Sequence, residues 1–276
     1  MTDNNQFRYL HSNYLQQVTM LQAEIHDFSY DKHAHEELSI GVTRQGLQHF
    51  TSGGSRHRSQ PGNSILFNPE QVHDGHGESG DCLLYSMLYI HPQQLQPMLY
   101  AAGVNDSHQF RIKENVIGNP ALSEAVLQLS GLIASGSDDA LLQDYWLYQL
   151  CARLALHQRV FVANQRQRHV DTRLLKARDF IHDYVCQPLT LEQIAAEIGL
   201  SKYHFLRLFR SQFGITPHQY IVSCKVGAAR RALTRGETLD DVVFNFGFAD
   251  LSHFNRRFKP IVGMTPKQYQ RSLQRN

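Results

Sequence analysis

The spacing of hydrophobic positions changes along this chain, and the change divides it. Up to about residue 90, short β-prone runs at Leu38–Thr43, Gln48–Thr51, Ser64–Phe67 and Leu83–Ile90 are separated by turn signals at Gly53-Gly54 and Pro61-Gly62. Several short strands at that spacing predict a small antiparallel barrel or sandwich. From Pro92 the pattern becomes helical, with helices expected near Pro92–Ala102, Pro120–Ala134 and Asp138–Arg159. Between Leu141 and Leu156, twelve of sixteen residues are apolar, more than one buried stripe requires. The surplus predicts a helix that packs on its own barrel and also pairs with a second subunit; a wholly internal helix is the competing reading. Periodicity then fades over residues 160–172, where the chain turns polar and reads as a linker.

Beyond the linker the pattern repeats itself. Leu189–Ser201 matches Glu237–Asp250 at an offset of 48, pairing Thr190 with Thr238, Leu191 with Leu239, Ile194 with Val242, and Gly199 with Gly247. Past the glycines the offset becomes 49, and Phe205, Arg207, Phe209 and Thr216-Pro217 match Phe254, Arg256, Phe258 and Thr265-Pro266. Each copy is punctuated as helix, glycine turn, helix. Thr190 with Gln193 has the spacing of a capping box, Gly199 suits a left-handed C′ position, and Ser201 can cap the helix that follows. Gly247 and Asp250 take the corresponding roles in the second copy. This is the helix-turn-helix pattern, whose second helix enters the DNA major groove.

On those second helices, Phe205, Leu208, Phe209, Phe254 and Phe258 fall on the inward side. Tyr203, Leu206, Arg207 and Arg210 of the first copy, and Ser252, Asn255, Arg256 and Lys259 of the second, fall outward. An exposed leucine beside an arginine suits thymine methyl groups and guanine edges better than bulk water. Between the copies, Pro217 to Gly236 reads as one long helix, a rigid spacer for two reading helices.

Composition agrees with this division. Over 276 residues, 42% hydrophobic and 19% charged residues exclude disorder. The net charge of +2 conceals a split: from Asp171 onward there are 16 Lys+Arg against 9 Asp+Glu, while twelve of the sixteen histidines lie earlier. A basic half joined to an acidic half predicts that one end meets a polyanion. Four scattered cysteines (Cys82, Cys151, Cys186, Cys224) argue against a disulfide framework. Neither a membrane-length apolar run nor a secretory leader is read, so a cytoplasmic protein is expected.

Residues 171–276 closely resemble the DNA-binding domain of AraC-type transcription regulators. Leu189–Ser201, Gly247-Phe248-Ala249-Asp250-Leu251-Ser252-His253-Phe254, Arg256-Arg257-Phe258-Lys259 and Thr265-Pro266-Lys267-Gln268-Tyr269 carry the resemblance. It implies base contacts by Tyr203, Leu206, Arg207, Ser252, Asn255 and Arg256. Lys202, Arg210 and Lys259 are assigned to phosphates. Leu251 departs from the glutamine frequent in relatives. The resemblance also implies activation through RNA polymerase more often than repression.

The first half is histidine-rich. His33-Ala34-His35-Glu36-Glu37 precedes a strand, and Pro61–His73 follows. Together they resemble the sensor barrel of AraC-type regulators, which is similar to cupins. Metal-binding cupins use such motifs to supply three histidines and a glutamate for Fe, Mn or Zn. Here the glutamates follow His35 too soon, and the second motif lacks its usual glycine before a histidine displaced by one. The expectation is therefore no metal and no cofactor, with His33, His35, Glu37 and His73 as polar lining for a small-molecule effector. A metal at His33, His35 and His73 remains the lesser alternative, beside purely structural histidines.

The expected architecture is α+β: a cupin-like β-barrel with a helical extension (1–160), a linker (161–172), and an all-α domain of two helix-turn-helix units joined by a long helix (173–276). The expected function is sequence-specific binding of double-stranded promoter DNA by an effector-controlled regulator, a homodimer and not an enzyme. A metal-dependent cupin enzyme with a DNA anchor and a non-specific architectural DNA binder are the rivals. No nucleophile triad, phosphate-binding loop or metalloprotease motif supports the enzyme.

Overall fold

The computed structural model describes residues 4–161, 171–187 and 189–273. Among the described residues nine strands come first, β1 (Gln6–His11), β2 (Val18–Ile25), β3 (Ser29–His33), β4 (Leu38–Gln45), β5 (Gln48–Ser52), β6 (Ser55–Ser59), β7 (Ser64–Phe67), β8 (His73–Gly77) and β9 (Leu83–Ile90), and a short tenth, β10 (Val116–Ile117), follows the first helix. They form two antiparallel sheets, a six-stranded one in the order β1-β2-β9-β4-β7-β10 and a four-stranded one in the order β3-β8-β5-β6. Alternation along the strands makes two cores. Leu21, Ala23 and Ile25 of β2, with Tyr85, Met87 and Tyr89 of β9, share a core with Phe50 of the smaller sheet. Met20, Leu88 and Ile90 face the other way, under helices α1 (Pro92–Ala101), α2 (Pro120–Ala134) and α3 (Ala140–Phe161).

Helix α3 buries Leu147, Leu150, Cys151 and Leu154 on the side that packs against α1 and α2. Leu141, Tyr145, Tyr148 and Leu156 remain exposed, which accounts for the surplus of apolar positions. Most of the expected linker, residues 162–170, lies outside the described residues. Phe161 ends α3 and Thr172 begins the next helix.

The second half is helical: α4 (Thr172–Asp183), α5 (Leu191–Glu197), α6 (Lys202–Phe213), α7 (Pro217–Thr234), α8 (Leu239–Asn245), α9 (Leu251–Val262) and α10 (Pro266–Leu273). The local signals act as the sequence implies. Thr190 and Gln193 form a complete capping box, Thr238 caps α8, Ser201 caps α6 and Asp250 caps α9. Gly199 and Gly247 turn at φ of 65° and 66°, a conformation that costs a side-chain-bearing residue energy. Leu174, Ala177 and Ile181 of α4 complete the core of the first unit with Ile194, Phe205 and Phe209.

The core of the second unit is continuous with that of the barrel. Val242, Phe254 and Phe258 belong to the same buried cluster as Tyr9 and Tyr89. Tyr9 donates a hydrogen bond to the carbonyl of Val262 (3.1 Å), and its ring meets Tyr269 edge-on at 5.1 Å. At Gly263 a Cβ would come within 2.7 Å of the Phe7 ring, so only glycine admits this approach.

Candidate nucleic-acid interface and sensor site

Helices α6 and α9 are amphipathic for a simple reason. Phenylalanines spaced by four residues, Phe205 with Phe209 and Phe254 with Phe258, fix one face of each helix in a core. Whatever lies opposite is then presented outward. Tyr203 is 81% exposed, and Arg207 and Arg210 are exposed on α6. Ser252 and Arg256 are exposed at the equivalent end of α9. Leu206, Lys202, Asn255 and Lys259 are half-buried. Lys202 is paired with Glu192 of α5, so a phosphate would compete with that carboxylate. The Asn255 Oδ1 is buried without a hydrogen-bond partner, an orientation that leaves a polar atom unsatisfied.

Arg256 also borders a cleft of about 310 Å³ together with Arg257, His218 and the sensor residues Asp31 and Lys32. The second reading helix therefore sits beside β3. The sequence gives no signal for this contact, because β3 reads Ser-Tyr-Asp-Lys-His, with no apolar alternation.

The four residues expected to line the sensor pocket divide. His33, His35 and His73 come together, with one ligand nitrogen from each within 4.8 Å of the others. His33 and His73 are direct cross-strand partners in β3 and β8, and a register shift between Tyr30 and His33 marks a local irregularity there. His33 Nδ1 lies 2.6 Å from the Asp31 carbonyl, and His73 Nδ1 lies 2.9 Å from that of Gln71. Phe67 stacks on His73 at 3.6 Å between centroids, and Tyr89 meets His35 edge-on at 5.2 Å. Burial lowers the pKa of His33 to about 4. Burial, reinforced by mutual repulsion, holds His35 and His73 well below the ordinary imidazole value. All three are neutral at pH 7.

Glu37 does not join them. It is buried against Arg230 of α7, whose Nη2 donates to Glu37 Oε1 at 2.6 Å. The guanidinium also lies over the Tyr89 ring at 5.1 Å. The neighbouring Glu36 pairs with Arg231 at 2.9 Å and with His182 of α4 at 3.3 Å. His182 also meets Glu70 at 3.4 Å, and Tyr220 donates a hydrogen bond to Glu70. Burial works against protonation of His182, but its contacts with Cys224, Glu36 and Glu70 prevail and its pKa is pushed up to about 12. The Ser223 hydroxyl accepts from the Ala34 amide at 3.0 Å and donates to the Ala34 carbonyl at 3.1 Å. The motif that starts β4 thus holds the DNA-reading half as much as it lines the sensor.

A two-sheet sensor joined to paired helix-turn-helix units defines a ligand-responsive DNA-binding regulator. An AraC-like ligand binding domain model matches residues 16–150, and a helix-turn-helix domain model matches residues 194–272. Together they span well over half of the chain, which belongs to the AraC-type transcription regulators. It is 26% identical over 226 residues to the HTH-type transcriptional regulator YbfI of Bacillus subtilis, covering 81% of each chain. It is 22% identical to the HTH-type transcriptional activator RhaS of Klebsiella pneumoniae, covering 87% of each. In fold it is similar to an apo variant of ToxT from Vibrio cholerae, with a TM-score of 0.67 at 13% identity over 95% of this chain and 99% of the other. DNA is its macromolecular partner and a small molecule its effector. Its relatives bear the names of transcription regulators, and nothing favours the enzyme reading. Among the described residues, no helix is long and apolar enough to cross a membrane.

Proposed function

We propose that this regulator reads promoter DNA with both units at once, acting in the cytoplasm as a homodimeric activator that contacts RNA polymerase. Tyr203, Leu206 and Arg207 of α6 and Ser252, Asn255 and Arg256 of α9 meet base edges. Lys202, Arg210 and Lys259 meet phosphates. The observation that carries this reading is the matched pair of outward arginines, Arg207 and Arg256, on the second helices of two units joined by one uninterrupted α7. The 18 residues of α7 make a rod of about 27 Å at about 1.5 Å per residue. That suits two reading heads aimed at successive major grooves, about 34 Å apart on one DNA face. The exposed Leu141, Tyr145, Tyr148 and Leu156 of α3 supply the dimer face.

The test is selection of bound sites from a random duplex library, followed by titration of the best site at two salt concentrations. Two short conserved blocks about one helical turn apart are expected, with affinity falling steeply as salt rises. Salt-sensitive binding with no recovered motif, with and without added effector, would favour the architectural reading instead.

A further inference from the structure

His33, His35 and His73 are packed against one another and against the Phe67 and Tyr89 rings. We propose that these three histidines form a site for a divalent transition-metal ion of the Zn2+ type, and that this ion is the ligand the sensor reads. The second half of the proposal rests on the chain acting as a DNA-binding regulator.

Four observations support it. First, the nitrogens converge within 4.8 Å, close enough for small ring rotations to reach zinc–nitrogen distances of roughly 2.0–2.1 Å. Second, the Nδ1–H groups of His33 and His73 donate to backbone carbonyls two residues upstream. That fixes the tautomer and leaves each Nε2 with a lone pair, the usual outer-shell arrangement of metal-bound histidine. Third, the Phe67 and Tyr89 rings pack against His73 and His35 and hold them in place beside His33. Fourth, the buried Arg230 near the cluster is ion-paired with Glu37 at 2.6 Å, which reduces its repulsion of an incoming cation. Three neutral imidazoles leave a coordination position for water or a second small ligand.

The site is placed to be read. Between His33 and Glu37, ligands and interdomain contacts share one five-residue segment: Ala34 holds Ser223, Glu36 holds Arg231 and Glu37 holds Arg230. All three partners lie on α7, the helix that sets the spacing of the two reading heads. Drawing His33 and His35 onto an ion acts on the backbone that carries those contacts. An ion that binds one arrangement of this segment more tightly shifts α7 with it.

The test uses the full chain, stripped with a chelator and titrated with Co2+ and then Zn2+. One equivalent of Co2+ should give visible ligand-field absorption with no near-ultraviolet thiolate band, and Zn2+ should displace it. A thiolate band would place the ion at the Glu24, His26 and Cys82 group and overturn the assignment, as would absence of binding. His35→Ala should weaken binding by more than the roughly 10–100-fold typical of losing an outer-shell partner, while Cys82→Ser binds as wild type. X-ray absorption of the zinc-loaded wild type needs no variant to fold. It should show nitrogen or oxygen neighbours at about 2.0–2.1 Å, and sulfur at about 2.3 Å would again sink the site. On a duplex recovered by selection, Zn2+ should change affinity by at least about fivefold. Unchanged affinity would overturn the role of the ion as sensor ligand. Failure to bind any duplex, with or without Zn2+, would overturn the DNA reading while the cobalt result still stood.

Discussion

At the scale of single residues, what an arginine does here depends on burial. Arg207 is exposed with its guanidinium in water, so it costs nothing to hold and is available to a guanine edge. Arg207→Ala should lower affinity for the selected site by roughly 1–3 kcal/mol and relax one base position, leaving thermal stability near wild type. An unchanged base preference in that variant would remove Arg207 from the readout. Arg230 is the opposite case: it is buried, and its charge is tolerable only because Glu37 lies 2.6 Å away. Glu37→Gln strands that charge and should destabilise the chain by roughly 3–5 kcal/mol in denaturant unfolding. Arg230→Met added to Glu37→Gln should recover most of the loss, because no unpaired charge then remains.

At the scale of elements, the helix-turn-helix units are specified locally and twice. Thr190 and Thr238 cap equivalent helices, and both caps are exposed enough for their loss to be read without core disruption. Thr190→Ala and Thr238→Ala should each cost about 1 kcal/mol. Helix α3 shows the other kind of element-level information. Its apolar excess was legible as an excess, and the fold divides it into a face against α1 and α2, not directly on the barrel, and a face left outside. Leu141 is 82% exposed and Tyr145 is 48% exposed. Replacing both with lysine should convert a dimer to a monomer in sedimentation, and a wild-type chain already monomeric at high micromolar concentration would remove α3 as the dimer face.

At the scale of the whole molecule, the DNA-reading half is docked on the sensor through charge as well as apolar packing. His182 faces Glu36, Glu70, Tyr220 and Cys224, and its pKa is raised from 6.5 to about 12. A raised folded-state value means the contribution is fully present below the unfolded value of about 6.5 and is lost as pH climbs toward the folded one. The thermal advantage of wild type over His182→Gln should therefore be greatest near pH 6 and shrink steadily toward pH 9. An advantage that grows with pH would show that His182 is neutral in the folded chain. The same docking explains why several elements escaped sequence reading. β3 and β8, with sequences Ser-Tyr-Asp-Lys-His and His-Asp-Gly-His-Gly, carry little apolar alternation. β3 is completed by β8, α7 and α9, and β8 by its place between β3 and β5.

The sequence alone determined the two helix-turn-helix units, their caps and glycine turns, the outward arginines, four strands of the barrel and the helices that cover it. Each of these rests on contacts between residues close in the chain, where period and capping chemistry act directly. Tertiary structure alone decided that Glu37 pairs with Arg230, that Gly263 admits Phe7, and that α9 lies beside β3. The family resemblance groups His33, His35 and His73, but their meeting across forty residues of chain is the work of the fold. Convergence of that kind depends on strand register and the meeting of two cores. No local pattern encodes either, because the partners that complete them lie far away along the chain.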